Sequence, residues 1–143
     1  MQEKELFMKN RIDEKIKEIE RYLSELEEFT PDSFEEYLTD YKGKAACERY
    51  FEKIVEAIVD LAMFVIRYKK FGIPEDDEGS FFILLRNNII SEALAKKLKE
   101  AKGMRNIIAH EYAKVDDELV FNSVKEELSS DAREFLDKVK EAI

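Results

Sequence analysis

From Arg11 to Phe29 the apolar residues Ile12, Ile16, Ile19, Leu23 and Leu26 recur at alternating intervals of four and three, with charged residues between them. That spacing lays one apolar stripe along a helix and predicts a helix over 11–29, stopped by Thr30 and Pro31. Ser33 followed by Glu36 has the form of a capping box and predicts a second helix from there to about Lys70, with a break near Gly43. Between Tyr50 and Tyr68 apolar side chains occupy nearly the whole circumference, which predicts a helix buried on every side. In a chain this short, one of those sides is expected to lie against a second subunit. Asp60 stands alone in that run, a carboxylate either partnered in the interior or turned to solvent.

Phe71 to Ser80 reads as a long loop, followed by a short helix at about 80–89. Ser91 is placed to cap a helix over 92–110. Asp116 is a good N-cap for a further helical stretch over 117–142, with Asp117 and Glu118 in its first turn and a break at Ser129–Ser130. No two-residue alternation and no internal repeat occur. The expected fold is all-α, an up-and-down bundle of five or six helices.

Composition narrows the function. A chain of 143 residues is one domain, 1–143. With 45% hydrophobic and 40% charged residues it is neither disordered nor membrane-embedded, and four Gly with two Pro are too few to turn a many-stranded barrel. Its net charge of -9 argues against a protein that coats nucleic acid by bulk charge. Cys47 is the sole cysteine and His110 the sole histidine, which excludes an internal disulfide and any metal site needing two histidines of one chain. Cys47 is expected to serve packing. No apolar run approaches the roughly 18 residues of a membrane span, and Met1–Lys9 is polar, so neither a transmembrane helix nor a signal peptide is expected and the compartment is taken as cytoplasmic.

Candidate chemistry is concentrated in residues 103–112, GMRNIIAHEY. At about 100° per residue, Met104, Ile107 and Ile108 form the expected buried face, with Arg105, Asn106 and His110 opposite and Tyr112 returning beside Arg105. Glu111 would fall on the apolar face, so the helix should end near His110. An arginine clamps a phosphate and stabilises charge added to it, and a histidine moves a proton at neutral pH. Upstream, Lys96, Lys97, Lys99, Lys102 and Arg105 face a single acid, Glu100, a local excess of +4 that could steer a polyanion. Gly103, costly in mid-helix, suggests the close approach of a second helix or a phosphate.

RNIIAHEY resembles the Arg-x4-His-x-Tyr motif of the HEPN superfamily, in its HepT-like branch, also called DUF86. IDEKIKEIERYLSEL is similar to that family's first helix, ACERYFEKIVEAIVDLAMFVI to its long second helix, and LAKKLKEAKGMRNIIAHEY to its later ones. The resemblance covers most of the chain. It implies a homodimeric helical bundle with Arg105 and His110 of both subunits at a shared cleft, and a metal-independent endoribonuclease without a cofactor of its own. It further implies a toxin of a type VII toxin–antitoxin pair, whose partner is an MNT-type nucleotidyltransferase that uses ATP to AMPylate the motif tyrosine, here Tyr112. Asn106 matches a polar positioning residue, and Asp60 resembles an acid of the second helix that could support Arg105. The competing expectation, favoured by the acidic charge and single histidine, is a non-catalytic helical substrate of such a nucleotidyltransferase.

Overall fold

All five residues of the Ile12–Leu26 stripe are buried, and they lie on a helix that begins earlier than the periodicity suggested: α1 spans Glu3–Phe29. Before Arg11 the helix continues with Met8 packed against the core and Leu6 and Phe7 exposed. In the computed structural model, which describes residues 2–74 and 77–143, α1 is followed by α2 (Phe34–Thr39), α3 (Tyr41–Lys69), α4 (Asp77–Arg86), α5 (Glu92–His110), α6 (Asp117–Asn122) and α7 (Leu128–Ala142). A π-helical segment, Ser123–Glu127, joins α6 to α7 without leaving helical dihedrals, so the described residues make six helical bodies. The disturbance expected at Ser129–Ser130 lies instead in this segment, while Ser129 stays helical and donates its hydroxyl to Glu27. The architecture is the all-α bundle read from the sequence.

Local signals account for most boundaries. Ser33 accepts from the Glu36 backbone at 3.2 Å, and Ser91 from Leu94 at 3.1 Å. The break expected near Gly43 falls at Asp40, whose φ/ψ of -88/83° ends α2 and whose carboxylate accepts from Gly43 N–H at 2.9 Å to start α3. A methyl on Gly43 would overlap that carboxylate, so the glycine serves the cap. Helix α3 ends with Lys70 in the left-handed region and Phe71 N–H returning to Ile66 O at 3.0 Å. Helix α4 begins at Asp77, earlier than expected, and shortens the loop. The acidic Glu75–Glu78 stretch of that expected loop lies outside the described residues and side chains.

The fold is organised around α3. Helix α1 packs along it, α4 and α5 lie on further flanks, and α7 touches α1, α3 and α5. Here the sequence expectation needs correction. The apolar circumference of α3 is covered by its own chain: Phe51, Ile54, Val55, Leu61, Ala62 and Val65 are each at most 1% exposed without a second subunit. Five shorter helices supply enough apolar surface to enclose it, so that circumference does not itself signal an interface. Asp60 takes the solvent option, with 57% of its side chain exposed and Lys15 at 3.8 Å. Cys47 is fully buried, and burial pushes its thiol up, consistent with packing. Among the described residues no helix is long and apolar enough to cross a membrane.

Candidate active site

The site is built where the end of α5 meets the first half of α3. Counted from its N-terminus, α5 buries Leu94, Ala95, Leu98, Lys102 and Ile108. At about 100° per residue Leu94, Leu98 and Arg105 fall within roughly 40° of one another. Arg105 therefore continues the core-facing line of α5, contrary to the expectation that it lies on the opposite, open side. The faces were misassigned because ten residues around the motif are too short a window to fix the stripe. Met104 and Ile107, expected to be buried, are half-exposed and line an apolar groove of about 390 Å³ with Val115 and Leu119.

Arg105 reaches α3 and is held there. Its Nη2 donates to Glu56 Oε1 at 3.0 Å, and its Nη1 donates to the adjacent Asn106 Oδ1 at 2.9 Å. The arginine side chain is 19% exposed and the glutamate 42%, so the ion pair sits at the rim of the interior. Arg105 Nε is buried without a partner. His110 is the last residue of α5 and is exposed. Glu111 then leaves helical geometry, as its mismatch with the apolar face required.

This exit decides where Tyr112 goes. A 3₁₀ turn, Tyr112–Lys114, swings the ring back against α3, with Val115 N–H closing on Tyr112 O at 3.1 Å. The Tyr112 hydroxyl donates to Glu48 Oε1 at 2.9 Å and accepts from Lys44 Nζ at 3.3 Å. Lys44 also meets Glu48 Oε2 at 3.6 Å and Asp117 at 3.3 Å. Burial alone would pull the Lys44 ammonium down; the bond to Tyr112 and the charges of Glu48 and Asp117 outweigh it and leave it raised. Glu48 is 5% exposed, whereas Tyr112 keeps 57% of its surface in solvent. The ring is thus open while its oxygen is anchored. Beneath, burial and then the charge of Glu48 push the Tyr37 hydroxyl above its ordinary range.

Tyr112 and Arg105 dock on the same ridge of α3 without lying side by side. Glu48 and Glu56 are two turns apart, about 12 Å along the axis. Glu52 lies between them and pairs with Arg49 at 3.5 Å. Sequence reasoning missed Lys44, Glu48, Glu56 and Asp117. The available signal was the four-residue repeat of glutamates, Glu48, Glu52 and Glu56, on one face of an otherwise apolar helix. The acid facing Arg105 is Glu56, one turn before Asp60, which lies 3.8 Å from Lys15.

The basic strip is not one surface. Lys96 and Lys99 are exposed, but Lys102 is 6% exposed and Lys97 meets Asp131 at 3.7 Å. Arg105 is half-buried as well, so a continuous steering band through Lys102 to Arg105 does not form. A Cβ on Gly103 would meet nothing within 4 Å, so no contact within this chain demands the glycine. Among the described residues no group of three or more His, Cys, Asp or Glu is placed to hold a metal ion.

Comparison with known proteins places this geometry among relatives. A family model described as "Ribonuclease HepT-like" matches residues 19–139. An mRNA nuclease HepT from Shewanella oneidensis is 29% identical over 126 residues, 88% of this chain and 93% of the relative. A tRNA nuclease HepT from Aphanizomenon flos-aquae is 28% identical over 113 residues, 79% and 77% of the two chains. A solved structure of a tri-AMPylated Shewanella oneidensis HEPN toxin in complex with MNT antitoxin aligns with a TM-score of 0.83 at 29% identity, covering 90% of this chain and 96% of that one. YutE from Bacillus subtilis, at 15% identity and a TM-score of 0.78, shares the fold.

Proposed function

The chain belongs to the HepT-like ribonuclease family, and from that premise we propose that it is the toxin of a HEPN/MNT toxin–antitoxin pair, an endoribonuclease acting through Arg105 and His110. The observation that carries the reading is the placement of the motif at one helix end: a guanidinium held in a fixed orientation by Glu56 and Asn106, with an exposed imidazole five residues on. The nucleophile is the ribose 2′-hydroxyl of the RNA itself. His110 takes its proton as the oxygen attacks phosphorus, and Arg105 stabilises the charge on the pentacoordinate phosphate. The 5′-oxygen leaves with a proton, and a 2′,3′-cyclic phosphate remains. One imidazole serves one proton transfer at a time, so a homodimer that brings two His110 side chains to one cleft would supply base and acid together.

Neutralisation follows from Tyr112. An MNT-type nucleotidyltransferase partner adds AMP to its phenolic oxygen at the expense of ATP, as the tri-AMPylated state of the Shewanella toxin suggests. The added phosphate brings negative charge to the α3–α5 seam and opposes RNA there. The toxin itself needs no cofactor in this scheme. Incubating the purified full chain with single-stranded RNA tests it. Wild type should yield 2′,3′-cyclic phosphate ends, and His110→Ala or Arg105→Ala should not. Undiminished cutting by His110→Ala would overturn the mechanism. An adduct on Tyr112 in a chain that never cuts RNA would favour the non-catalytic reading.

A further inference from the structure

The Tyr112 hydroxyl is held by two groups of opposite charge. It points its proton at Glu48 Oε1, 2.9 Å away, and receives the Lys44 ammonium on its lone pair at 3.3 Å. Glu48 has little else to do among the described residues: it is 5% exposed, its Oε2 makes no hydrogen bond, and its ionic neighbour there is Lys44 at 3.6 Å. A buried carboxylate so poorly supplied with donors is seldom kept for stability alone. The other titratable groups around it are Cys47 on its own helix, Tyr37 of α2, and Asp117 of α6 beyond Lys44. None of these is placed in a hydrogen bond to the Glu48 carboxylate, whereas Tyr112 is.

We propose that Glu48 is the proton acceptor for nucleotidyl transfer to Tyr112, with Lys44 set on the same phenolic oxygen to stabilise the charge that develops there. The inference rests on the reading of Tyr112 as the modified residue. In the step, the Tyr112 oxygen forms a bond to the α-phosphorus of a nucleoside triphosphate supplied by the partner enzyme. The bond from that phosphorus to the β-phosphate oxygen breaks, pyrophosphate leaves, and the phenolic proton passes to Glu48 Oε1. The protein being modified thereby brings its own base to the partner's reaction. The exposed flank of the Tyr112 ring leaves the approach open, while the proton departs on the buried side.

The test is the rate of AMP addition to the full chain by the purified nucleotidyltransferase with Mg-ATP, read by intact mass and peptide mapping. Wild type, Glu48→Gln, Glu48→Asp, Lys44→Met and Tyr112→Phe are compared, each checked for fold by circular dichroism. Wild type should gain the adduct on Tyr112 and Tyr112→Phe should lose it. Glu48→Gln should be slower by about 10²-fold at pH 7. The deficit should shrink steadily toward pH 9, as hydroxide takes over the work of the missing proton acceptor. Lys44→Met should show a smaller loss. Equal rates for wild type and Glu48→Gln, or a deficit that does not change with pH, would overturn the proposal and leave Tyr112 as the acceptor. No adduct on wild-type Tyr112 would instead overturn the reading beneath it. If Glu48→Gln fails to fold, the same pH comparison is made with Glu48→Asp, which keeps the charge and withdraws it from the phenol.

Discussion

Helix α3 has two working surfaces that differ in how completely they are satisfied. On its inward faces, Ile54, Val55, Ile58, Leu61, Ala62 and Val65 are buried by the helices packed around α3. On the ridge facing the end of α5, Glu48 and Glu56 receive Tyr112 and Arg105, and two buried polar atoms there, Glu48 Oε2 and Arg105 Nε, have no hydrogen-bond partner among the described residues. Native interiors leave few such atoms, and they gather where function overrides packing. One helix thus carries a surface tuned for cohesion and another kept incompletely paired. Damage to the first should appear in stability and damage to the second in activity.

The strongest test of that division is Phe135→Ala. Phe135 is fully buried and meets Phe81 edge-on at 6.4 Å. Its truncation should cost about 3–5 kcal/mol in urea unfolding, with the folded remainder still cutting RNA normally. A shift below about 1 kcal/mol would mean that the core is not the cohesive surface. Next comes Arg105→Ala, expected to lower RNA cleavage about 10²–10³-fold while moving the melting midpoint little, since Glu56 is 42% exposed and hydrates once released. A large loss of stability would make the ridge structural after all.

Ser91→Ala probes the entry to α5, at the opposite end of that helix from His110. It removes the acceptor for Leu94 N–H and should cost about 1 kcal/mol with no change in cleavage. The smallest effect is expected at the exposed pair of α1 and α7, Arg133 and Glu27, 2.9 Å apart. Bonds from Arg133 and then Ser129 hold the Glu27 carboxyl below its ordinary 4.5. An acid lowered in the folded state stabilises above its ordinary pKa and loses that contribution as pH falls through the folded value. Arg133→Gln should therefore cost about 0.2–1 kcal/mol at pH 7 and nothing near pH 2, as thermal melts across that range would register. An undiminished penalty at low pH would assign the effect to packing of the arginine stem.

The fold was readable wherever information was local. The Ile12–Leu26 stripe, the Ser33, Ser91 and Asp116 caps and the end of α5 at His110 all depend on neighbours a few residues away. The Arg105–Tyr112 motif was readable for the same reason. Its acidic partners were not, because Arg105 finds Glu56 across 49 positions and Tyr112 finds Glu48 across 64. Asp60 drew attention by standing alone, while the repeating Glu48, Glu52 and Glu56 looked like an ordinary solvated face. The enclosed circumference of α3 teaches a related limit: periodicity reports that a surface is covered, and cannot say by which segment.

The ion pair between Arg105 and Glu56 has a consequence for selectivity. With Nη1 and Nη2 engaged by Asn106 and Glu56, any phosphate that Arg105 takes would compete with a tethered carboxylate that cannot be diluted away. On the proposed function, free phosphate would meet that competitor unaided, whereas a polynucleotide held at its neighbouring phosphates as well would meet it with help, so that the length of the incoming chain would count before any chemistry begins.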